Sequence, residues 1–349
     1  MRDFIYEGLP ARIVFGAGAA RTRLAAEVER SGATRILLVA STRDADRVST
    51  LVAPFAHRIA GAFRDVREHV PVETADAARV TAADAGADAV LAVGGGSTIG
   101  VAKAVALTAR IPVLAVPTTY AGSEVTPVWG VTADGRKTTG TDPAVLPRVV
   151  VYDPELVASL PRDIAVASGL NAMAHAVEAQ WAPGRNPASS AIAEEAIAAL
   201  VAGLRKHDPS DLLGGAWLAG SAFAVTGPGL HHKLCHVLGG LGLPHARTHA
   251  VVIPHVLAFN APGAPRVVAR VGRGLARSGS TDADPVAGLR TLVAELGIPR
   301  GLRELGLRED ELDTVVALTE PAVPQDNPVT VGDGALRRLV YAAWTGEDR

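Results

Sequence analysis

Apolar residues in the first 150 positions come in short unbroken runs separated by stretches of helical spacing. RILLVAS (35–41) is such a run, AGAFRDV (60–66) is a weaker one, and DAVLAVGGG, IPVLAVPTT and VVVYDP (149–154) repeat the pattern. Strands buried on both faces read this way, because neither face calls for polar positions. Between them, TADAARVTAADAGA (74–87) has the spacing of an amphipathic helix, and another helix begins near Ser97 and runs through VAKAVALTA. This alternation predicts a parallel sheet with helices over both faces. After Pro161 the spacing changes. LNAMAHAVEAQWA, SAIAEEAIAALVAGL, LLGGAWLAGSAFAV, PVAGLRTLVAELG and ALRRLVYAAWTG repeat apolar residues at steps of three and four, with no convincing strand among them. The expected organisation is an α/β domain over residues 1–158 and an all-helical domain over 159–349, changing within the proline-bearing stretch DPELVASLPRD.

A chain of 349 residues is comfortable as two domains. Hydrophobic content of 48 % with only 4 % aromatics indicates a core of Ala, Val and Leu. A net charge of −2 gives no sign of a nucleic-acid or anionic-membrane surface. The apolar runs are interrupted well short of a membrane span, and MRDFIYEGLPARIVFGAG lacks a charged-then-apolar signal layout, so a cytoplasmic location is expected. Cys235 is the single cysteine, which excludes an intramolecular disulfide and any cysteine-rich metal site.

Gly94-Gly95-Gly96-Ser97 stands where a strand gives way to a helix. Glycines let a phosphate approach the backbone, and a helix N-terminus offers free N–H groups, so this is a candidate pyrophosphate site. The spacing is not GxGxxG, and three glycines also suit a plain tight turn. The next strand ends in Thr118 and Thr119, followed by Ser123, which places small hydroxyl-bearing loops at the same sheet edge. Lys137 lies a few residues on, either near a phosphate or ribose or simply in solvent. At the end of RILLVAS, Ser41 with Arg43 close by would not repel a 2′-phosphate, which leaves NADH and NADPH both open.

Six of the ten histidines lie between 231 and 255, at His231, His232, His236, His245, His249 and His255. Buried imidazoles need partners, so such a cluster is a poor way to fill a core and a good way to move protons or hold a metal. Asn171 and His175, His232 and His236, and His245 and His249 are each i, i+4 pairs, sharing a helix face. His231 is about 100° around the helix from His232 and need not point inward. His255, after a proline, reads as structural. His57, His69 and His207 stand alone and are given no chemistry.

FGAG, GGGSTIGVAKAVAL, PTTYAGSE, VYDPEL and the histidine segment together resemble the iron-containing alcohol dehydrogenase family over nearly the whole chain. The resemblance implies a dehydroquinate synthase-like fold: an N-terminal Rossmann-like dinucleotide domain, a C-terminal helical domain and a site in the cleft between them. Within the family, VPTTYAGSEVTPVWGVT, KTTGTDPAVLP, SGLNAMAHAVEA and LHHKLCHVLGG with LPHARTHAVVIPH resemble the maleylacetate reductases. The family's metal ligands are an aspartate and a histidine from one helix and two further histidines. The matching positions here are Asn171, His175, His232 and His245. A neutral carboxamide is a weaker ligand than a carboxylate. His175, His232 and His245 could still hold zinc with an open fourth position. The asparagine resembles maleylacetate reductases, which work without a catalytic metal, and a metal-free centre is the expectation.

The implied reaction is NAD(P)H-dependent reduction of the conjugated double bond of maleylacetate to 3-oxoadipate, in aromatic-compound breakdown. His236 and His245 are then the candidates for proton donor and oxyanion partner, with His175, His232 and Asn171 lining the pocket. Lys233, Arg247 and His249 are candidates for the substrate's carboxylates, although either cation could simply be solvated. Relatives are commonly dimers, and the N-terminal stretch could supply an edge strand for a homodimer. The rival readings are a metal-dependent alcohol or aldehyde dehydrogenase, a reductase for another carbonyl or enoate, and a catalytically silent nucleotide-binding protein.

Overall fold

The computed structural model describes residues 4, 6–9, 11–133, 136–279, 282–332 and 334–347. The chain forms two compact units, Leu9–Leu160 and the residues from Pro161 onward, with the described residues before Leu9 grouping with the latter.

The first unit runs β1 (Arg12–Phe15), α1 (Ala19–Ser31), β2 (Ile36–Ala40), α2 (Ala45–Val52), β3 (Ile59–Phe63), α3 (Val72–Asp84), β4 (Ala89–Gly94), α4 (Gly96–Ala109), β5 (Val113–Pro117), β6 (Val128–Ala133), β7 (Arg136–Thr141), β8 (Val149–Tyr152) and α5 (Pro154–Val157). Six strands form a wholly parallel sheet in the order β1-β8-β5-β4-β2-β3. Every residue of β2, β4, β5 and β8 is buried, as their unbroken apolar sequences require. The chain leaves β2 in one direction to reach β3 and returns on the other side as β4. The strand order therefore reverses between β2 and β4, the place where doubly wound sheets take ligands. β6 and β7 form an antiparallel hairpin apart from this sheet. The apolar runs did not predict it, although Asp134-Gly135 between the two strands is a hairpin signal.

The second unit contains α6 (Arg162–Glu178), α7 (Pro187–Lys206), α8 (Pro209–Thr226), α9 (Leu230–Gly240), α10 (His245–Asn260), α11 (Pro265–Arg277), α12 (Pro285–Glu295), α13 (Leu312–Thr319) and α14 (Ala335–Thr345). α6 is buried continuously from Val166 to Glu178, so even its polar residues face other helices. α7 is long and apolar enough by composition to cross a membrane, but it is a packing helix of this unit. Its Glu194 breaks the apolar run and accepts from Arg273 at 2.9 and 2.7 Å.

Candidate active site

The glycine run closes β4 and opens α4. Gly94 has φ of 157°, and a Cβ there would lie 2.3 Å from Thr98 Oγ1. A Cβ on Gly95 would meet Thr119 at 2.9 Å, so this stretch of backbone has room for no side chain. α4 begins with no side-chain cap, so no capping side chain occupies its first N–H groups. Thr118 N donates to Gly94 O at 3.0 Å, tying the ends of β4 and β5 together. Ser97, Thr119 and Ser123 are half-buried at this edge, and Ser123 Oγ has no hydrogen-bond partner among the described residues.

Lys103 was not singled out in the sequence, yet it shapes this edge. Its wholly buried Nζ donates to the carbonyls of Ser123, Thr126 and Val128 at 2.6, 2.8 and 2.7 Å. Burial lowers its pKa to about 7, opposed by Glu124. The Glu124 carboxyl, raised by the same burial, accepts from Tyr152 OH at 2.7 Å. A lysine inside the apolar stretch VAKAVAL is the sequence signal for this anchor.

At the ends of β2 and β3 lies a cavity of about 550 Å³ lined by Ser41, Thr42, Arg43, Arg64, Asp65, Val66 and Glu68. Ser41 Oγ donates to Asp44 at 2.9 Å, so the serine brings a carboxylate to this edge with it. Asp44 was not anticipated, although its i+3 spacing from Ser41 marks it. Lys137 sits on β7, and its side chain lies outside the described residues.

In the helical unit, Asn171, His175 and Glu178 occupy i, i+4 and i+7 of α6 and share one buried face. Glu178 takes Nδ1 of His232 at 2.5 Å and also accepts from the backbone N–H of His231 at 2.6 Å and of His232 at 3.4 Å. It thereby caps the first turn of α9, whose own N-cap, Gly229, has no side chain. A Cβ at Gly229 would lie 2.8 Å from the carboxylate, so the close approach depends on glycine. The sequence reading passed over Glu178, although its spacing from Asn171 and His175 carries the signal.

His175 stacks on His232 with ring centroids 4.9 Å apart and planes 15° from parallel, and Phe223 packs on both. Asn171 Oδ1, His175 Nδ1 and His232 Nε2 are buried without a hydrogen-bond partner among the described residues. Behind them, His231 Nε2 and His249 Nδ1 are 2.9 Å apart, and Cys235 Sγ lies 3.7 Å from His231 Nε2. His231 therefore does point inward. The helical wheel set it apart from His232, but α10 covers that flank of α9 as well.

Burial dominates the titration of this group. It lowers His175 to about 4 and His231 to about 3, and it pushes His232 and His249 well below the ordinary imidazole range, each helped by neighbouring histidines. Burial also raises Glu178 to about 7, opposed first by the N–H groups of Gly229, His231 and His232. Those N–H groups favour the ionised carboxylate, and an ionised Glu178 accepts the proton of His232 at Nδ1. His232 then turns a lone pair at Nε2 toward the site.

The remaining candidates are placed less uniformly. His236 is exposed within its unit, its ring 6.3 Å from that of His232, and His245 opens α10, half-buried, 4.5 Å from His249. Lys233 is half-buried, and exposed Arg247 pairs with Asp163 at 3.5 Å. His249 is 0 % exposed and bonded to His231, so contact with a substrate carboxylate is not the role its position supports. His255 is buried on α10.

A Rossmann-like sheet with an open glycine-lined edge, together with a helical unit of clustered imidazoles, fits an oxidoreductase. Two family models match the chain: iron-containing alcohol dehydrogenase over residues 10–154 and the C-terminal Fe-containing alcohol dehydrogenase family over residues 165–344. The chain belongs to the iron-containing alcohol dehydrogenase family. It is 45 % identical to the maleylacetate reductase of Sphingobium indicum, over 99 % of this chain and 98 % of that protein. Its fold matches the crystal structure of maleylacetate reductase from Agrobacterium tumefaciens with a TM-score of 0.93 and 41 % identity, covering 100 % of both chains. An iron-containing alcohol dehydrogenase from Corynebacterium glutamicum matches with a TM-score of 0.94 and 41 % identity, over 100 % of this chain and 98 % of that one.

The family's description names iron, and the expectation of a metal-free centre finds no support here. Asn171 Oδ1 is an unpartnered acceptor and His232, with its proton at Nδ1, has an unpartnered lone pair at Nε2; both suit a cation, and the His175 ring stacks on that of His232. Glu178 behind His232 repeats the carboxylate–histidine arrangement usual behind metal-bound imidazoles. His175, His232 and His245, the trio given as able to hold an ion if one binds, do not gather their ligand atoms within 4.8 Å of one another. Among the described residues, the His and Cys ligand atoms gathered within 4.8 Å of one another are those of His231, Cys235 and His249.

Proposed function

We propose that this enzyme reduces the conjugated carbon–carbon double bond of maleylacetate to give 3-oxoadipate, using NADH or NADPH. The observation that carries the reading is the full-length likeness to proteins named maleylacetate reductase, at 45 % identity in the Sphingobium case. The bound nicotinamide supplies the hydride. The open N-terminus of α4 and the hydroxyls of Ser97, Thr118, Thr119 and Ser123 hold the pyrophosphate in this reading. The cavity at Ser41 and Arg43 receives the adenosine ribose, where Asp44 offers a carboxylate to its hydroxyls and Arg43 and Arg64 offer charge to a 2′-phosphate.

Hydride addition at the carbon distal to the ketone moves charge onto the ketone oxygen, and the carbon next to the ketone then takes a proton. His236, the exposed imidazole of α9, is assigned the proton, and His245 at the N-terminus of α10 is assigned the oxyanion. His232 cannot donate from Nε2 while Glu178 holds its proton at Nδ1, so it serves as an acceptor and, with Asn171 and His175, shapes the pocket. Lys233 is the cation assigned to a substrate carboxylate, because Arg247 already pairs with Asp163. An ion held by Asn171, His175 and His232 would add positive charge near the ketone oxygen. A cytoplasmic homodimer completes the reading.

The unpartnered lone pairs of Asn171 and His232 favour one second reading, a metal-dependent alcohol or aldehyde dehydrogenase. A single design separates the two: NADH and NADPH oxidation with maleylacetate, with and without chelator. Turnover of maleylacetate that survives chelation supports the reductase. Activity only on aldehydes, lost on chelation and restored by zinc or ferrous iron, replaces it.

A further inference from the structure

His231, Cys235 and His249 take no part in the reaction above, yet they form the closest set of metal-ligating atoms among the described residues. His231 and Cys235 are i, i+4 on α9, and His249 comes from the facing α10. A tetrahedral ion with bonds of about 2.0–2.1 Å to nitrogen and 2.3 Å to sulfur separates two nitrogens by about 3.3 Å and a nitrogen from sulfur by about 3.6 Å. The observed separations are 2.9 Å between the two imidazole nitrogens and 3.7 Å from sulfur to nitrogen. The Cys235–His231 edge already fits, the Cys235–His249 edge lies within 4.8 Å, and the imidazole edge needs to open by about 0.4 Å.

A second observation concerns the outer nitrogens. His231 Nδ1 and His249 Nε2 are buried and have no partner among the described residues. No group among the described residues fixes a proton or a lone pair at these outer nitrogens, so both rings can carry their protons there and present the inner nitrogens' lone pairs to an ion.

We propose that His231 Nε2, Cys235 Sγ and His249 Nδ1 bind a soft d10 cation, zinc or cuprous ion. Thiolate with imidazole selects these ions over iron or magnesium. On binding, the proton between the rings moves to an outer nitrogen, so both imidazoles stay neutral, and the thiol proton leaves as the sulfur–metal bond forms. One proton is released per ion, and no oxidant or reductant is involved. Burial and the nearby Glu178 both raise the Cys235 thiol, and with zinc bound the same carboxylate offsets the one positive charge that remains. The site is distinct from the one formed by Asn171, His175 and His232, which contains no sulfur, and it does not depend on which substrate the enzyme reduces.

The test is cobalt(II) titration of the full-length, chelator-treated protein. Cys235 is the sole cysteine, so a thiolate-to-cobalt charge-transfer band in the near ultraviolet can report only this triad. One equivalent should bring up the band, one equivalent of zinc should remove it, and each zinc bound should release one proton into a weakly buffered indicator solution. A competition titration against a cuprous chelator reads the alternative ion. His231→Asn and His249→Asn should each weaken cobalt binding at the band by at least tenfold. Saturating cobalt without the band in the wild-type protein overturns the proposal, as does an unchanged affinity in both variants. Should the variants fail to fold, the X-ray absorption spectrum of the wild-type zinc form decides: one sulfur with two imidazoles supports the site, and no sulfur overturns it.

Discussion

Glu178 on α6 and His232 on α9 meet at 2.5 Å, and the same carboxylate caps the first turn of the helix that carries His232. One side chain thus caps the start of α9 and, when ionised, holds the His232 proton at Nδ1. Glu178→Gln would place a carboxamide at that point, and an –NH₂ group facing Nδ1 moves the proton to Nε2. The expected result is a fall in kcat of about 10–100-fold with the KM for NADH unchanged, and an altered pH profile. Steady-state kinetics across pH checks this. A kcat within twofold of wild type and an unchanged profile would remove Glu178 from the positioning role.

The buried histidines predict acid sensitivity. Burial depresses His175 to about 4 and His231 to about 3 in the folded state, against about 6.5 when unfolded, and His232 and His249 shift the same way. Between those values the unfolded chain binds more protons, so stability present above pH 6.5 is lost as pH falls toward 4. Each histidine contributes at most about 1.4 kcal/mol per pH unit. Glu178, raised to about 7, works in the opposite direction between 4.5 and 7, but it is one group against four. Urea midpoints should therefore drop steeply from pH 6.5 to 5. A flat profile over that range would show that these imidazoles are not buried neutral.

His236→Ala should lower the turnover of maleylacetate by about 10²–10⁴-fold, the usual contribution of a positioned acid, while NADH binding followed by fluorescence stays within twofold. His236 is exposed within its unit, so the change removes no core packing and its effect is a direct reading of chemistry. Unchanged turnover would take His236 out of the mechanism.

Cofactor choice is tested at the end of β2. Arg43→Ala combined with Arg64→Ala should raise the KM for NADPH by about tenfold or more and leave that for NADH within twofold, because only the 2′-phosphate needs both cations. Asp44→Ala should act mainly on NADH, by removing the carboxylate that Ser41 holds at this edge. Equal effects on both cofactors would place the ribose elsewhere.

Lys103→Met should cost about 2–4 kcal/mol of stability by urea unfolding, because it strands the three carbonyls that Nζ now satisfies. Those carbonyls belong to the stretch carrying Ser123, so NADH affinity should fall as well. Wild-type stability in the variant would mean that water replaces the ammonium at no cost.

The division between sequence and tertiary structure falls along a physical line. Apolar runs such as ILLVA and AVLAVG, short, rich in Val and bounded by turn residues, read as strands hidden on both faces, so the parallel sheet and the opening of α4 at the glycines were legible from local pattern. The three- and four-residue spacing after Pro161 likewise identified a helical unit, and histidine density pointed to where its chemistry lies. Contacts across elements were not legible. Glu178 reaches 54 residues to His232, Lys103 reaches up to 25 to its carbonyls, and His231 meets His249 across two helices. Periodicity reports which face of a helix is apolar, and it is silent when every face is covered, as on α6 and on α9 at His231 and His232. The sequence alone therefore determined the parallel strands, the helical character after Pro161 and the concentration of imidazoles, but not the β6–β7 hairpin. Only packing decided which imidazole is held by a carboxylate, which is held by another imidazole beside a thiol, and which, like His236, is left exposed, because burial and pairing depend on neighbours distant along the chain.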